Sequence, residues 1–327
     1  MNMNRSTQQE QMFVPEIVTF GETMALMLPE DVKGIEYSSH FQSLFGGAES
    51  NVAIGVARLG HRVGWFGRLG KDPLGRMIVK KIRGEGVDVS RAELTTEAPT
   101  GLMLREIIFG KTSVYYYRKG SAASLMKPEQ LDESYISQAQ YLHVTGITMA
   151  LSESARETLK ESVRLAKKNG VKVCFDPNLR LKLWSLEEAR GALLEMAQEA
   201  DYFLPGLDEL KLLYATESFD EIIGKLRELP GVSIVKGGED VTYIVDKTSV
   251  TEVPYFKAER IVDTVGAGDG FCAGFIAGLL KNYSLAEAVR LGNLIGCMVV
   301  QNEGDWEGIP TWEQVEAFLN NEKHVER

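Results

Sequence analysis

Histidine and cysteine are both scarce in this chain, four and three among 327 residues. The cysteines, Cys174, Cys272 and Cys297, stand apart in apolar surroundings with no metal-ligand spacing. They argue against a metal site or a disulfide framework and read as buried small hydrophobes in a reducing cytoplasm. The scattered histidines offer no His-based metal site either. Basic runs are also missing, and the formal net charge is −10. That balance argues against nucleic acid or an anionic membrane surface as a partner. No apolar run is long enough to span a bilayer, the stretch 294–300 being far too short. Residues 1–12 are polar, lack the apolar core of a signal peptide and read as a frayed tail. There is no internal repeat, no low-complexity linker and no Walker A motif.

The apolar content, 44%, is that of a globular protein, and the length allows one large α/β domain or two smaller ones. Strand-like runs fall at 17–20, 61–67, 140–144, 171–176, 202–205 and 232–236. Helical spacing marks 49–59, 73–83, 152–168, 186–199, 207–214, 218–228, 268–281, 284–300 and a last helix from 311. Segments 101–108 and 113–118 flank a Phe-Gly-Lys-Thr turn and read as a hairpin, as do 243–245 and 249–253. From about residue 140 strands and helices alternate, which implies a parallel sheet covered by helices on both faces. The extended regions near 22–45 and 100–118 do not alternate with helices and fit a small separate sheet.

The most informative stretch is 263–271, Asp-Thr-Val-Gly-Ala-Gly-Asp-Gly-Phe. The run 252–262 before it is extended in character, and an apolar helix follows. The local expectation is strand, tight glycine turn, helix. At such a turn the N–H groups of Gly266, Ala267 and Gly268 face one concavity, together with the positive end of the helix. That suits a phosphate, and suits better the charge of a phosphoryl group in transfer. Asp269 would stand at the mouth of this anion hole, placed to take a proton from a hydroxyl. Taken alone, Gly-Ala-Gly-Asp is also compatible with a plain turn and a helix-stabilising aspartate. A second stretch, 45–53, reads Phe-Gly-Gly-Ala-Glu-Ser-Asn-Val-Ala. Its glycines permit close backbone approach to a ligand, and the Asn51 amide suits sugar hydroxyls; a glycine turn with a capping asparagine remains the alternative.

The nonapeptide resembles the D-T-x-G-A-G-D-x-F signature of the ribokinase/pfkB family of sugar kinases. The earlier stretch is similar to that family's G-G-x-x-x-N-x-A sugar motif, and the two stand in the family's order. Segment 70–75, Gly-Lys-Asp-Pro-Leu-Gly, matches a further landmark and reads as a turn into a helix. The resemblance covers nearly the whole chain after the tail. It implies a ribokinase-like domain over 13–322 whose lid is built from about 22–45 and 100–118, covers the sugar and often mediates dimerisation. It implies Asp269 as catalytic base, residues 266–268 as anion hole, and Gly46, Gly47, Ala48 and Asn51 at the sugar. It also implies ATP as co-substrate and Mg2+ bridging the phosphates, and leaves a monovalent cation open. On the nucleotide side, Lys236 and Gly238 lie in a K-x-G turn whose usual later glycine is Val241 here. Asn178 and Asn293 are further nucleotide-side candidates. The family's N-x-x-E motif is represented by 206–209, where Gly206 replaces the asparagine and Glu209 is kept as an indirect metal-linked candidate.

Substrate choice rests on two basic segments. Residues 115–122, Tyr-Tyr-Tyr-Arg-Lys-Gly-Ser-Ala, end the lid hairpin. Residues 176–184, Asp-Pro-Asn-Leu-Arg-Leu-Lys-Leu-Trp, leave a parallel strand at its C-terminal end, where ligands of such sheets bind. Arg118 and Arg180 could pair with one anionic group, since guanidinium grips carboxylate with two prongs. Alternatively, Arg118 is an exposed lid charge, and Arg180 pairs with Asp176 or binds phosphate. Both segments, and Gly-Asp-Trp-Glu-Gly at 304–308, resemble the family branch that phosphorylates 2-keto-3-deoxygluconate. That adds Tyr116 and Asp305 to the sugar-side candidates. A neutral-sugar kinase such as a fructokinase, and a sugar-binding regulator without catalysis, are the rivals.

Overall fold

Apolar runs rich in β-branched and aromatic residues become strands that side chains cover on both faces. The computed structural model describes residues 13–31, 33–109 and 111–325. In chain order the elements are β1 (Ile17–Phe20), β2 (Met24–Pro29), β3 (Phe41–Gly46), α1 (Ala48–Arg58), β4 (Val63–Phe66), β5 (Arg68–Gly70) and α2 (Pro73–Gly84). They continue with β6 (Glu93–Thr95), β7 (Leu102–Ile108), β8 (Lys111–Tyr117), α3 (Glu133–Ile136), β9 (Tyr141–Thr145), α4 (Gly146–Leu151) and α5 (Glu153–Lys168). Next come β10 (Lys172–Asp176), α6 (Leu186–Ala197), β11 (Tyr202–Phe203), α7 (Leu207–Tyr214), α8 (Phe219–Leu226) and β12 (Val232–Val235). The last are β13 (Val241–Val245), β14 (Val250–Pro254), α9 (Ala267–Leu280), α10 (Leu285–Val299) and α11 (Trp312–Val325).

The main sheet has eight strands in the order β14-β13-β12-β11-β10-β9-β1-β4. It is parallel from β12 to β4, and the β13–β14 hairpin is antiparallel. Successive residues of one strand enter opposite cores, as the two-residue period requires. Ile17 and Cys174 pack with α1, α9 and α10, while Val18, Phe20, Val173 and Phe175 pack with α5, α6 and α7. The expected α/β class with helices on both faces is therefore observed. A second sheet, β3-β2-β7-β8, contains the two regions that do not alternate with helices. Its hairpin is tighter than expected: Ile108 pairs with Lys111, and Phe109 takes a positive φ of 50°. Asp72 anchors the entry to β7, because it caps α2 at Gly75 N (2.8 Å) and also accepts from Thr100 N (2.9 Å).

Two local expectations fail. The pair β5–β6 was not anticipated, being only three residues on each side. The extended run 252–262 is not a strand leading into the glycine turn. β14 ends at Pro254, and residues 255–266 form an irregular loop that returns to the end of α10, where Val262 N and Asp263 N meet Val300 O. Proline has no N–H for a further rung of the ladder, which is one reason to stop there.

α9 is apolar all round because it is buried all round, and it lies against α10 through a row of glycines. A Cβ on Gly274 would meet Ile295 Cγ1 at 2.7 Å and Gly292 Cα at 2.9 Å, and one on Gly278 would meet Ala288 Cα at 2.7 Å. Gly274→Val should therefore overpack this contact and cost about 1–3 kcal/mol or more. Urea denaturation of both proteins checks it; a loss below about 0.3 kcal/mol would show that the helices have room to part.

Candidate active site

The first turn of α9 opens onto a cavity at the C-terminal ends of the parallel strands. Gly266 precedes the helix in the left-handed conformation, φ 76° and ψ −8°. A side chain there would also run into the Asp305 carbonyl, so glycine is required on two counts. Gly268, by contrast, is already helical. Its importance is spatial: a Cβ on it would enter open space, with Lys236 Nζ nearest at 4.0 Å. Gly266, Ala267 and Gly268 thus present the start of a helix, with its unpaired N–H groups and positive end, to the cavity.

Asp269 follows in the same turn. Its Oδ2 accepts a hydrogen bond from Asn51 Nδ2 at 2.8 Å, and Asn51 lies on α1 directly after the Gly46-Gly47 turn. Burial pushes the Asp269 carboxyl up to about 7, the Asn51 hydrogen bond opposes the rise, Asp176 adds to it, Arg180 opposes it and Asp305 adds to it. A carboxylate in that range can take a proton at neutral pH. Side chains at Gly46 and Gly47 would collide with the Asp305 carboxylate and with Glu22 and Thr23, so both glycines serve close packing.

Two adjoining cavities, about 450 and 1250 Å3, meet at this point. Gly266, Asp269, Arg180, Tyr116 and Asp305 line both. The smaller also contains Asp176, Asn178, Glu209, Lys236 and Gly268; the larger contains Gly46, Gly47, Ala48, Asn51 and Arg118. The structure thus brings most of the candidate residues to one place.

Several cations there are already paired. Lys236 Nζ donates to Asp176 Oδ2 at 2.7 Å. Burial disfavours the Lys236 charge, but Asp176, Cys272 and Glu209 outweigh it and hold its ammonium above the ordinary lysine range. Burial likewise disfavours the Asp176 charge, and Lys236 overcomes this to keep the carboxyl below the usual range. Arg118, expected to be free on the lid, is bound through Nε to Glu22 Oε2 at 2.6 Å; Glu22 is 2% exposed and also accepts from Ser121 Oγ. Arg180 does not pair with Asp176. It is exposed and among the described residues donates only to Leu179 O, at 3.3 Å. Three basic residues were missed, one of them Lys119, which lines the larger cavity next to Arg118. Lys182 lines the larger cavity, 5.4 Å above the Tyr116 ring, and the basic spacing of 180–182 was a visible signal. Arg105, 4% exposed on β7, lines the smaller cavity between Asp263 (3.1 Å) and Asp305 (3.4 Å). One arginine in an alternating strand gave no signal.

The pfkB family carbohydrate kinase model matches residues 14–312. The chain belongs to the pfkB family of carbohydrate kinases. It is 40% identical over 315 residues to a 2-dehydro-3-deoxygluconokinase of Bacillus subtilis, covering 95% of this chain and 97% of that one. A PfkB protein from Polaromonas superposes with a TM-score of 0.85 at 35% identity, covering 93% of this chain and 99% of that one. A fructokinase with bound ATP from Xylella fastidiosa has a TM-score of 0.85 at 25% identity, covering 94% and 99%.

Two of the nucleotide-side candidates, Asn293 and Gly238, do not line these two cavities. Asn293 does not reach either cavity. Its Oδ1 accepts from Thr242 Oγ1 (2.7 Å) and its Nδ2 donates to Val253 and Pro254 carbonyls, so the amide ties α10 to the β13–β14 hairpin. Gly238 also lies outside both cavities, packed against Val241 O and Tyr243. Glu209 reaches the smaller cavity, but its oxygens accept from Leu179 N (2.6 Å) and Gly206 N (2.7 Å), joining the start of α7 to the loop after β10. Burial raises its carboxyl above the ordinary range, Asp176 adds to the rise, and Lys236 opposes it. Among the described residues no group of His, Cys, Asp or Glu forms a metal cage.

Replacing Asp269 by asparagine should lower kcat by about 10²–10⁴, with ATP binding largely kept. Only the ionised carboxyl can accept a proton, so wild-type kcat/KM should rise with pH and level off above about 7. Asp269→Asn should lose that rise; a variant within a few-fold of wild type and with the same profile would remove Asp269 from the chemistry.

Gly268→Val should fill the space in front of the helix N-terminus and lower kcat by roughly 10²-fold or more. Turnover measured beside calorimetric ATP titration decides it. Normal turnover and normal ATP affinity would show that no phosphate sits there.

Proposed function

We propose that this pfkB-family kinase transfers the γ-phosphoryl group of ATP to a primary hydroxyl of a sugar acid, 2-keto-3-deoxygluconate at O6 being the best fit. The observation that carries the proposal is the shared boundary of the two cavities. Asp269 and Gly266 stand on it, with an open helix N-terminus on one side and the Gly46-Gly47-Asn51 segment on the other. The sugar occupies the larger cavity and the phosphates the smaller. Asp269 accepts the hydroxyl proton as the oxygen forms its bond to the γ-phosphorus. The bond from that phosphorus to the ADP oxygen breaks, and ADP departs with the electron pair. The 266–268 turn stabilises the charge on the moving phosphoryl group. Mg2+ held on the ATP phosphates would neutralise part of their charge; Asp176 and Glu209 line the same cavity, but both are committed to protein donors.

The acid is favoured by Arg180, which makes no direct ion pair with a carboxylate among the described residues, and by the 2-dehydro-3-deoxygluconokinase relative. One observation favours a neutral sugar such as fructose instead. Arg118 is already balanced by Glu22, which leaves Arg180 the larger share of any carboxylate recognition. The kinase domain is proposed to span 13–322, with 22–45 and 100–118 as its lid. A homodimer or higher homo-oligomer through that lid is supported by its exposed Ile107, Phe109 and Tyr117, and a cytoplasmic location by the scarcity of cysteine. Among the described residues no helix is long and apolar enough to cross a membrane.

An ATP-consumption assay over sugar acids and neutral sugars tests the assignment directly. Arg180→Ala should lower kcat/KM for 2-keto-3-deoxygluconate by about 10- to 150-fold, corresponding to 1.5–3 kcal/mol for a charged hydrogen bond. It should change turnover of a neutral analogue much less. Arg180→Lys should recover little, because an ammonium lacks the fork. Equal losses on both substrates would sink carboxylate recognition, wild-type preference for fructose would move the assignment to a neutral-sugar kinase, and no ATP consumption with any sugar would favour a regulator.

A further inference from the structure

The turn at Gly266 ends a loop, 255–266, that has no regular structure of its own. Something outside the loop must therefore hold the turn where a phosphate would need it. Backbone bonds from Val262 and Asp263 to Val300 O fix only its approach. Beyond them the Asp263 carboxylate takes over. Its Oδ1 accepts from Val265 N at 3.1 Å, and its Oδ2 lies 3.1 Å from Arg105 Nη2. On the other side of the turn is Asp305, whose carbonyl stands where a Gly266 side chain would be. Its Oδ1 accepts from Arg105 Nη1 at 3.4 Å. Its backbone N is held in turn by Glu307 Oε2 at 3.0 Å.

Arg105 is therefore the one side chain among those described that pairs with acids on both flanks of Gly266. We propose that Arg105 is a positioning residue of the phosphoryl-transfer site, gripping Asp263 and Asp305 so that the 266–268 turn is held at a fixed place relative to the lid. The inference rests on the kinase function proposed above. The guanidinium suits the task because its two terminal nitrogens point to two acceptors at once, which a lysine cannot do. Burial also makes the arrangement demanding, since a buried cation with an acid removed on either side is left under-compensated. Its Nε–H has no acceptor among the described residues although it is buried. Arg105 sits on β7, within the lid sheet, so the same ion pairs set the lid strand against the loop that carries Gly266. Groups that stabilise a moving phosphoryl must be placed to within about half an ångström to be effective. Loss of Arg105 should then be felt in turnover more than in ATP binding.

The test compares wild type with Arg105→Met, Arg105→Lys, Asp263→Asn and the Arg105→Met/Asp263→Asn pair. Arg105→Met should lower kcat by roughly 10- to 100-fold while KM for ATP stays within about threefold. Arg105→Lys should restore only part of the loss. The pair should be no worse than its worse single member by more than about threefold, because the two groups act as a unit. Amide hydrogen exchange on the free protein gives a second readout. Peptides covering 262–268 should exchange at least about tenfold faster in Arg105→Met, while those covering β9 and β10 are unchanged. If Arg105→Met does not fold, Arg105→Lys carries the same two measurements. Multiplicative losses in the pair, a loss confined to KM for the sugar, or unchanged exchange at 262–268 would each overturn the proposal. A wild type that phosphorylates no sugar would instead sink the proposed function, and the exchange result would still decide whether Arg105 holds the turn.

Discussion

The hydrogen bond from Asn51 to Asp269 joins helices whose partners lie 218 residues apart, and the site depends on it. It fixes α1 and α9 against each other at the point where the two cavities meet. It also works against the burial that raises the Asp269 carboxyl, keeping it near neutrality rather than higher. That placement has a thermodynamic cost. The folded-state value lies above the ordinary one, so between about pH 4 and 7 the native protein holds a proton that the unfolded chain has released. Stability from this residue therefore declines as pH rises through that window. The glycine packing of α9 on α10 and the two buried cores supply the rigidity that tolerates it.

Asp305 shows the same tension at a second position. Burial lifts its carboxyl to about 6, Arg105 opposes the rise, and Glu307 and Asp263 add to it. Its side chain fills the space that Gly46 leaves, and its carbonyl fills the space that Gly266 leaves. One residue thus determines why two distant glycines must be glycines, one at the start of the sugar segment and one at the start of α9. The family signature and the sugar motif are two faces of one packing arrangement.

Contiguous features were the legible ones. The 263–271 stretch, the 45–53 stretch and the alternation of strands with helices could be read because each is local in the chain. Contacts made across the chain were not legible. Arg105 gains its meaning from Asp305, 200 residues away, and Arg118 is balanced by Glu22, 96 residues earlier. The partners of the Asn293 amide, Thr242 Oγ1 and the Val253 and Pro254 carbonyls, were likewise hidden in the sequence. The sequence also could not say which glycine of the turn takes the left-handed conformation. That is decided by where the helix starts, and Asp263 and Asp305 on either side of Gly266 determine it.

The cations of the site divide by what already neutralises them. Lys236 has Asp176, Arg118 has Glu22, and Arg105 has Asp263 and Asp305. An incoming anion must compete with a buried carboxylate for each of these, so they recognise charge weakly but hold geometry firmly. Among the described residues Arg180 makes no ion pair, donating to a neighbouring carbonyl and acting electrostatically on Asp269, and Lys182 donates to the Val114 carbonyl and lies over the Tyr116 ring. Both line the larger cavity, and Arg180 lines the smaller one as well. An anion entering there meets cations that no carboxylate pairs directly among the described residues. The paired cations build the site, and the unpaired ones are left to choose what enters it.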